Sequence, residues 1–358
     1  MNVLHHVSNR LGILTPPTTE HTGWDRRDLK LATGGNGQVP AHATIQVSAV
    51  DSRTSDQLWL HTTGFTTPMT LSLLELSKSG ETLSATTVRK APGAFNAQNV
   101  EVSQHFATSA DGTKVPYFQI STPGTEPAPT LLYGYGGFEV SLIPSYLATA
   151  GPAWIERGGT YVVANIRGGG EYGPQWHQAA LQANRHRAYE DFVAVADDLV
   201  TRGVTTKEQL GARGGSNGGL LMGMMLTKYP EHFGAIVCEV PLLDMSRFHT
   251  LLAGASWMAE YGDPSDPKQW EFIQTFSPYH LFQPGRKYPP VLFTTSTRDD
   301  RVHPAHARTM VAKMDEAGAD VLFYENVEGG HAGAADNKQR AKMSALAWEF
   351  LWQHLGGE

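Results

Sequence analysis

QLGARGGSNGGLLMGMMLTK, residues 209–228, holds the pattern that decides the fold. A short apolar run ends in Gly214-Gly215-Ser216-Asn217-Gly218-Gly219, and a stretch that is apolar on almost every face follows. This order predicts strand, sharp turn and helix, with Ser216 at the turn. A serine there sits in a strained backbone that only small neighbours permit, and Gly214 and Gly218 clear space for strand and helix to approach. The helix start offers free N–H groups and a positive dipole end to a developing oxyanion. As a bare pattern G-x-S-x-G arises often by composition alone; the strand–turn–helix context gives it weight.

Outward from that turn the same grammar continues. After Pro123, apolar runs alternate with amphipathic stretches: TLLYGY, GTYVVANIR, a helix over 189–202, the elbow, AIVCEV and PPVLFTTST. A helix over 305–317, the strand DVLFYENV and a terminal helix from about Asn337 complete the series. In the 189–202 helix Phe192, Val193, Ala196, Leu199 and Val200 share one face; in the last helix Met343, Leu346, Ala347, Phe350 and Leu351 form the stripe. Continuous apolar strands alternating with helices mean a mostly parallel sheet covered on both faces, and with the elbow at Ser216 the expected fold is that of an α/β-hydrolase.

The first quarter differs. Residues 1–38 are rich in Thr, Pro, Gly and His, show little periodicity, and are expected to be a disordered tail. ATIQVSAV, DQLWLHTTG and MTLSLLEL, between residues 41 and 88, read as short antiparallel strands separated by turns. Asp111-Gly112 marks a further hairpin. The expected division is therefore a small all-β segment over 1–95 and an α/β domain over 96–358.

Composition narrows the function classes. The 358 residues carry 28 basic and 35 acidic side chains, a net charge of −7, with no long run of one sign. No basic surface is available to neutralise phosphates, so nucleic acid is not an expected partner. No run approaches the ~18 apolar residues that span a bilayer, and the first 24 residues lack the apolar core of a signal peptide; a cytoplasmic location without membrane partners is expected. Cys238 is the one cysteine, which excludes an intrachain disulfide and a cysteine-based zinc site.

A serine hydroxyl needs a base, and the base an orienting carboxylate. In hydrolases of this fold they follow the serine in the order acid, then histidine. His331 stands out among the later histidines: it lies in Glu328-Gly329-Gly330-His331-Ala332-Gly333, where glycines let a loop swing over the sheet's edge. His303 and His306 form an H-x-x-H pair, but no third ligand follows at suitable spacing, so no metal is expected. For the acid, Arg298-Asp299-Asp300-Arg301 closes one strand, and Asp244 at the end of the preceding strand competes with it. The loop 133–138 after the first long strand occupies the place from which a second oxyanion donor comes. Gly168, Gly170 and Gly173 match G-x-G-x-x-G, with Asp191 about 20 residues on. Dinucleotide binding would need a helix to open at those glycines; Glu171 puts a negative charge inside the would-be phosphate loop, Pro174 follows the third glycine, and Asp191 falls within a helical pattern, so it is not expected.

LLYGYGGF (131–138), ANIRGGGEYG (164–173), GGSNGG (214–219), GASWMAEYG (254–262), TSTRDDRVHP (295–304) and EGGHAG (328–333), in this order, resemble the prolyl oligopeptidase family of serine peptidases. The likeness is close over 95–358, and residues 40–90 resemble the end of that family's β-propeller. It implies Ser216 as nucleophile, Asp299 as acid and His331 as base. The Asn217 N–H and the Tyr135 hydroxyl would form the oxyanion hole. Arg301 would hold the carbonyl before the scissile proline, and Phe138, Leu242, Trp257, Tyr261 and Val302 would line the proline pocket, with Trp257 stacked on the ring. No carboxylate falls among these five positions. No cofactor is implied, and the substrates would be proline-containing peptides. Two features depart from the family: Ala332 follows His331 where a glycine is usual, and the chain has about half the family's length. An incomplete propeller leaves strand edges open, so self-association through the N-terminal β segment is expected. Two rival functions remain, an esterase using the same triad and an inactive fragment.

Overall fold

A computed structural model describes residues 2–19, 22–29, 31, 39–76, 85–124 and 126–356. The chain divides into two compact units, Met1–Val102 with Ile143–Pro152, and Ser103–Leu142 with Ala153–Glu358. The sequence places a boundary near residue 95; packing divides the chain between Val102 and Ser103 and also assigns 143–152 to the first unit.

The first unit is all β. Strands β1 (Asn2–His5), β2 (Ser8–Thr15) and β3 (Asp25–Asp28) form an antiparallel sheet of three. The expectation of a disordered tail is corrected over these residues. The signal was weak because the sheet is thin: in β2 only Leu11 and Gly12 are buried, so no apolar alternation reaches the sequence. Residue 30 and residues 32–38 of that expected tail lie outside the described residues. Strands β4 (Ala43–Ala49), β5 (Gln57–Gly64), β6 (Thr67–Glu75) and β7 (Ala85–Lys90) form a second antiparallel sheet in sequential order. In β6 Pro68, Thr70, Ser72 and Leu74 point inward and alternate with more exposed neighbours, the period of a one-sided sheet. Leu11, Val39, Ile45, Leu60 and Leu74 make its core. Sheets of three and four antiparallel strands fit the expected propeller remnant.

The second unit is built on eight strands: β8 (Glu101–Thr108), β9 (Lys114–Ser121), β10 (Thr130–Tyr133), β11 (Thr160–Ala164), β12 (Leu210–Gly215), β13 (Ala235–Glu239), β14 (Val291–Ser296) and β15 (Val321–Asn326). Their order is β15-β14-β13-β12-β10-β11-β9-β8. The pairings from β11 through β10 to β15 are parallel, and β9 joins antiparallel. The helices are α1 (Pro174–Gln178), α2 (His186–Thr201), α3 (Asn217–Lys228), α4 (Met258–Tyr261), α5 (Pro267–Ile273), α6 (Pro278–Leu281), α7 (Ala305–Glu316) and α8 (Asn337–Leu355). This is the expected α/β-hydrolase architecture. Every residue of β11 and β14 is buried, as apolar runs in a covered sheet require. Strand β15 lies at the edge and exposes Leu322 and Phe323.

Helix α3 carries no polar face and is buried along nearly its whole length, packed on β12 and β13. Two helix stripes shift from expectation. In α2 Val195 is buried, while Val193 and Val200 are half-covered. In α8 Leu346 is exposed, and Trp348 and Leu355 join the buried face instead.

Candidate active site

Ser216 sits between β12 and α3 with φ +58° and ψ −117°, a conformation an L-residue holds only where its surroundings dictate it. The glycines around it are needed for close approach. A Cβ on Gly214 would come 2.5 Å from the Gly218 carbonyl oxygen, and one on Gly218 would come 2.9 Å from that of Gly134. The main chain fixes the serine from both sides: its N–H donates to Glu239 O on β13 (2.9 Å), and its carbonyl accepts from the N–H groups of Gly219 (2.9 Å) and Leu220 (3.1 Å).

His331, in the loop between β15 and α8, places Nε2 3.1 Å from Ser216 Oγ. Its Nδ1 lies 2.9 and 3.0 Å from the two oxygens of Asp299. With the proton on Nδ1, the ring donates to the carboxylate and accepts from the hydroxyl. Asp299 is 4% exposed and follows β14; its Oδ1 also accepts from the N–H groups of Arg301 and Val302, both at 2.9 Å. A hydroxyl, an imidazole and an oriented carboxylate in line can move a proton off the serine as it attacks a carbonyl carbon. Asp244, the competitor, turns elsewhere: it accepts from Ser246 Oγ (2.6 Å) and Arg247 Nε (2.7 Å).

Two donor groups adjoin the serine. Asn217 opens α3, so its N–H has no partner within the helix. The Tyr135 hydroxyl is within hydrogen-bonding reach of the Ser216 side chain, and burial pushes its pKa up, which keeps it a donor.

The expected pocket residues belong to one apolar cluster: Leu242, Tyr261 and Val302 are buried in it, and Phe138 and Trp257 pack against it half-buried. Phe138 meets Tyr261 edge-on at 5.6 Å between ring centres. Tyr261 is fully covered, so it stands behind Phe138 and bonds through its hydroxyl to Asn217 Oδ1 (2.8 Å). Arg301 is exposed, and its charge acts on the Tyr135 hydroxyl.

The remaining motifs are structural. Gly168 has φ +94°, and Glu171 is buried, accepting from Leu142 N–H (2.9 Å). Asp191 forms a buried pair with Arg167 at 2.7 Å. His306 Nδ1 accepts from the Leu243 and Asp244 N–H groups (3.3 and 3.1 Å), and among the described residues no group of three or more candidate ligands could hold a metal. Cys238 is buried, its thiol donating to Gly219 O. Among the described residues no helix is long and apolar enough to cross a membrane. Arg185, Glu260 and His177, which back this site, were not among the sequence candidates; Glu260 lies within the GASWMAEYG stretch but was given no role there, and no local pattern marks Arg185 or His177.

Comparison with known proteins places the chain among peptidases. The model of the prolyl oligopeptidase family matches residues 145–358. An uncharacterized peptidase of Sinorhizobium fredii is 46% identical over 93% of this chain and 44% of its own length. The prolyl endopeptidase of Elizabethkingia miricola is 35% identical over 85% of this chain and 43% of its own. Among solved structures, a post-proline cleaving enzyme from Rickettsia typhi superposes with a TM-score of 0.87 at 34% identity, over 99% of this chain and 50% of that one. The chain thus spans about half the length of the relatives it matches.

Proposed function

The chain belongs to the prolyl oligopeptidase family of serine peptidases, and on that premise we propose that it hydrolyses peptide bonds on the carboxyl side of proline, with Ser216 as nucleophile. The observation that carries this reading is the line from Asp299 through His331 to a strained, glycine-flanked Ser216.

As Ser216 Oγ attacks the scissile carbonyl, His331 Nε2 takes its proton. The carbonyl oxygen, now an oxyanion, receives hydrogen bonds from the Asn217 N–H and the Tyr135 hydroxyl. His331 then passes the proton to the departing amine, leaving an ester of Ser216. Water enters, His331 takes its proton, and collapse of the second tetrahedral adduct returns the serine and releases the acid. Asp299 stays ionised through both halves, fixing the ring and balancing its charge. A proline ring, which buries apolar surface and needs no hydrogen bonds, suits a wall of Phe138, Trp257, Leu242 and Val302. Glu260 lies near this wall, but its charge is paired with buried Arg185 at 2.7 Å. Glu260 therefore offers a basic side chain no unpaired charge. Arg301 would donate to the carbonyl one residue before the proline.

A serine-directed phosphonate, with the modified peptide located by mass, tests the nucleophile; amides of proline and alanine and a short-chain ester test the substrate. We expect label on Ser216 and a preference for proline. Trp257→Ala should lower kcat/KM on proline amides by about 1–3 kcal/mol and on alanine amides less. Ester turnover without proline amidase activity would replace this reading by an acyl hydrolase.

A further inference from the structure

Behind the two oxyanion donors lies a buried ion pair that the reaction as described does not use. Arg185 is 1% exposed, and its Nη1 donates to Glu260 Oε1 at 2.7 Å. Its Nη2 donates to Asn217 Oδ1. Asn217 in turn donates from Nδ2 to the Tyr135 carbonyl (2.6 Å). Glu260 Oε1 also accepts the Phe138 N–H (3.0 Å), and its Oε2 meets His177 Nε2 (2.7 Å).

The segment held in this way is strained. Gly136, Phe138 and Glu139 have φ of +63°, +56° and +58°, and such a run persists only where surrounding contacts over-determine it. The fit is close: a Cβ on Gly137 would come 2.6 Å from Asn217 Nδ2 and 3.0 Å from Arg185 Nη2. A buried ion pair is weak evidence for stability, because desolvation offsets most of the attraction. What this one adds is geometry. A planar guanidinium can hold a carboxylate and an amide oxygen at fixed angles at once.

We propose that Arg185 and Glu260 are positioning residues, one pair that sets the oxyanion donors and the proline-pocket wall relative to each other. Arg185 acts on the oxyanion side, through Asn217 and from it to Tyr135. Glu260 acts on both sides, through Arg185 and through the Phe138 backbone. This rests on the functional reading above.

The test uses the 358-residue chain and its Arg185→Lys, Arg185→Met, Glu260→Gln and Glu260→Met variants. Lysine keeps the charge but not the two-pronged geometry. Arg185→Lys should therefore melt close to the native temperature, yet lose about tenfold in kcat on a proline amide while its proline-to-alanine preference stays within about twofold. Glu260→Gln, whose amide oxygen can still accept the Phe138 N–H, should lose kcat to a similar degree and hold that preference, whereas Glu260→Met, which offers no acceptor, should also narrow it. Where a single variant does not fold, Arg185→Met with Glu260→Met removes both charges at similar volume. Its fold should recover while its kcat stays at least tenfold low. Native kcat in Arg185→Lys or in the double variant, or losses that track melting temperature alone across the set, would overturn the pair. Phosphonate labelling separates the two claims. A native chain with no label on Ser216 refutes the functional reading, and the pair falls with it; a labelled native chain beside variants of unchanged kcat refutes the pair alone.

Discussion

Ser216 and His331 meet at 3.1 Å, but the chain delivers them by opposite means. The serine is placed by backbone: a ladder bond to β13, the first turn of α3, and glycines pressed against carbonyl oxygens. The histidine stands in a loop without regular structure, and side chains hold that loop. Asn326 Nδ2 donates to Gly333 O and to Gln339 Oε1, both at 2.8 Å. Gln339 Oε1 accepts the Ala335 N–H (2.9 Å), its Nε2 donates to Glu328 (2.6 Å), and Ser296 Oγ donates to Gly329 O. A backbone-fixed residue resists change as a unit, whereas a loop pinned by two side-chain amides and a hydroxyl should loosen by degrees.

The largest expected effects erase the comparison altogether. Ser216→Ala and His331→Ala should each lower kcat by about 10⁴–10⁶-fold, and the double variant should be scarcely worse, because the residues act as a unit. Multiplicative losses in kcat would separate the two residues. Asp299→Asn should cost about 10⁴-fold by mis-setting the imidazole tautomer, while Asp244→Asn should spare most activity.

Next comes acid. Burial lowers the His306 pKa from 6.5 to about 4, so the folded chain binds this proton more weakly than the unfolded chain does. The stability involved, about 3 kcal/mol, is complete above pH 6.5 and is lost as pH falls toward 4. His306 braces the 243–244 backbone just beyond β13, so this weakening falls on the serine's side of the site. Urea midpoints between pH 6.5 and 4 should decline in the native chain and decline less in His306→Asn; equal slopes would remove His306 from the account.

The two supports can then be compared directly. Gly214→Ala forces a methyl against a backbone oxygen that has no side-chain freedom, and should cost about 2–3 kcal/mol of stability along with activity. Gln339→Ala should cost about tenfold in kcat/KM with only a small fall in melting temperature, since water can solvate the exposed Glu328 and Ala335, and buried Asn326 keeps its bond to Gly333 O. If Gln339→Ala melts as low as Gly214→Ala, the loop is as rigidly built as the elbow and the contrast fails.

The same contrast governs what could be read in advance. The elbow, the β–α alternation and the runs that became β10 to β15 were legible, because backbone-fixed structure writes local periodicities and glycine spacings. His331 was legible from its glycines. Asp299 and Asp244 were not separable by their residues, since both end strands; only the direction of each side chain decides, toward His331 or toward Ser246 and Arg247. The pairing of Arg185 with Glu260 was invisible, because they meet across 75 residues with no repeat to connect them. The thin sheet of β1 to β3 was missed for want of a second buried face.

The left-handed φ of Ser216 sets folding and chemistry against each other at one atom's attachment point. Of the residues that could occupy position 216, glycine would sit there with least strain and would have no hydroxyl to react. Ser216→Gly should therefore melt above Ser216→Ala, by an amount on the order of 1 kcal/mol less the extra freedom glycine gives the unfolded chain. Stability alone would favour glycine at position 216, and the hydroxyl there is what the proposed chemistry requires.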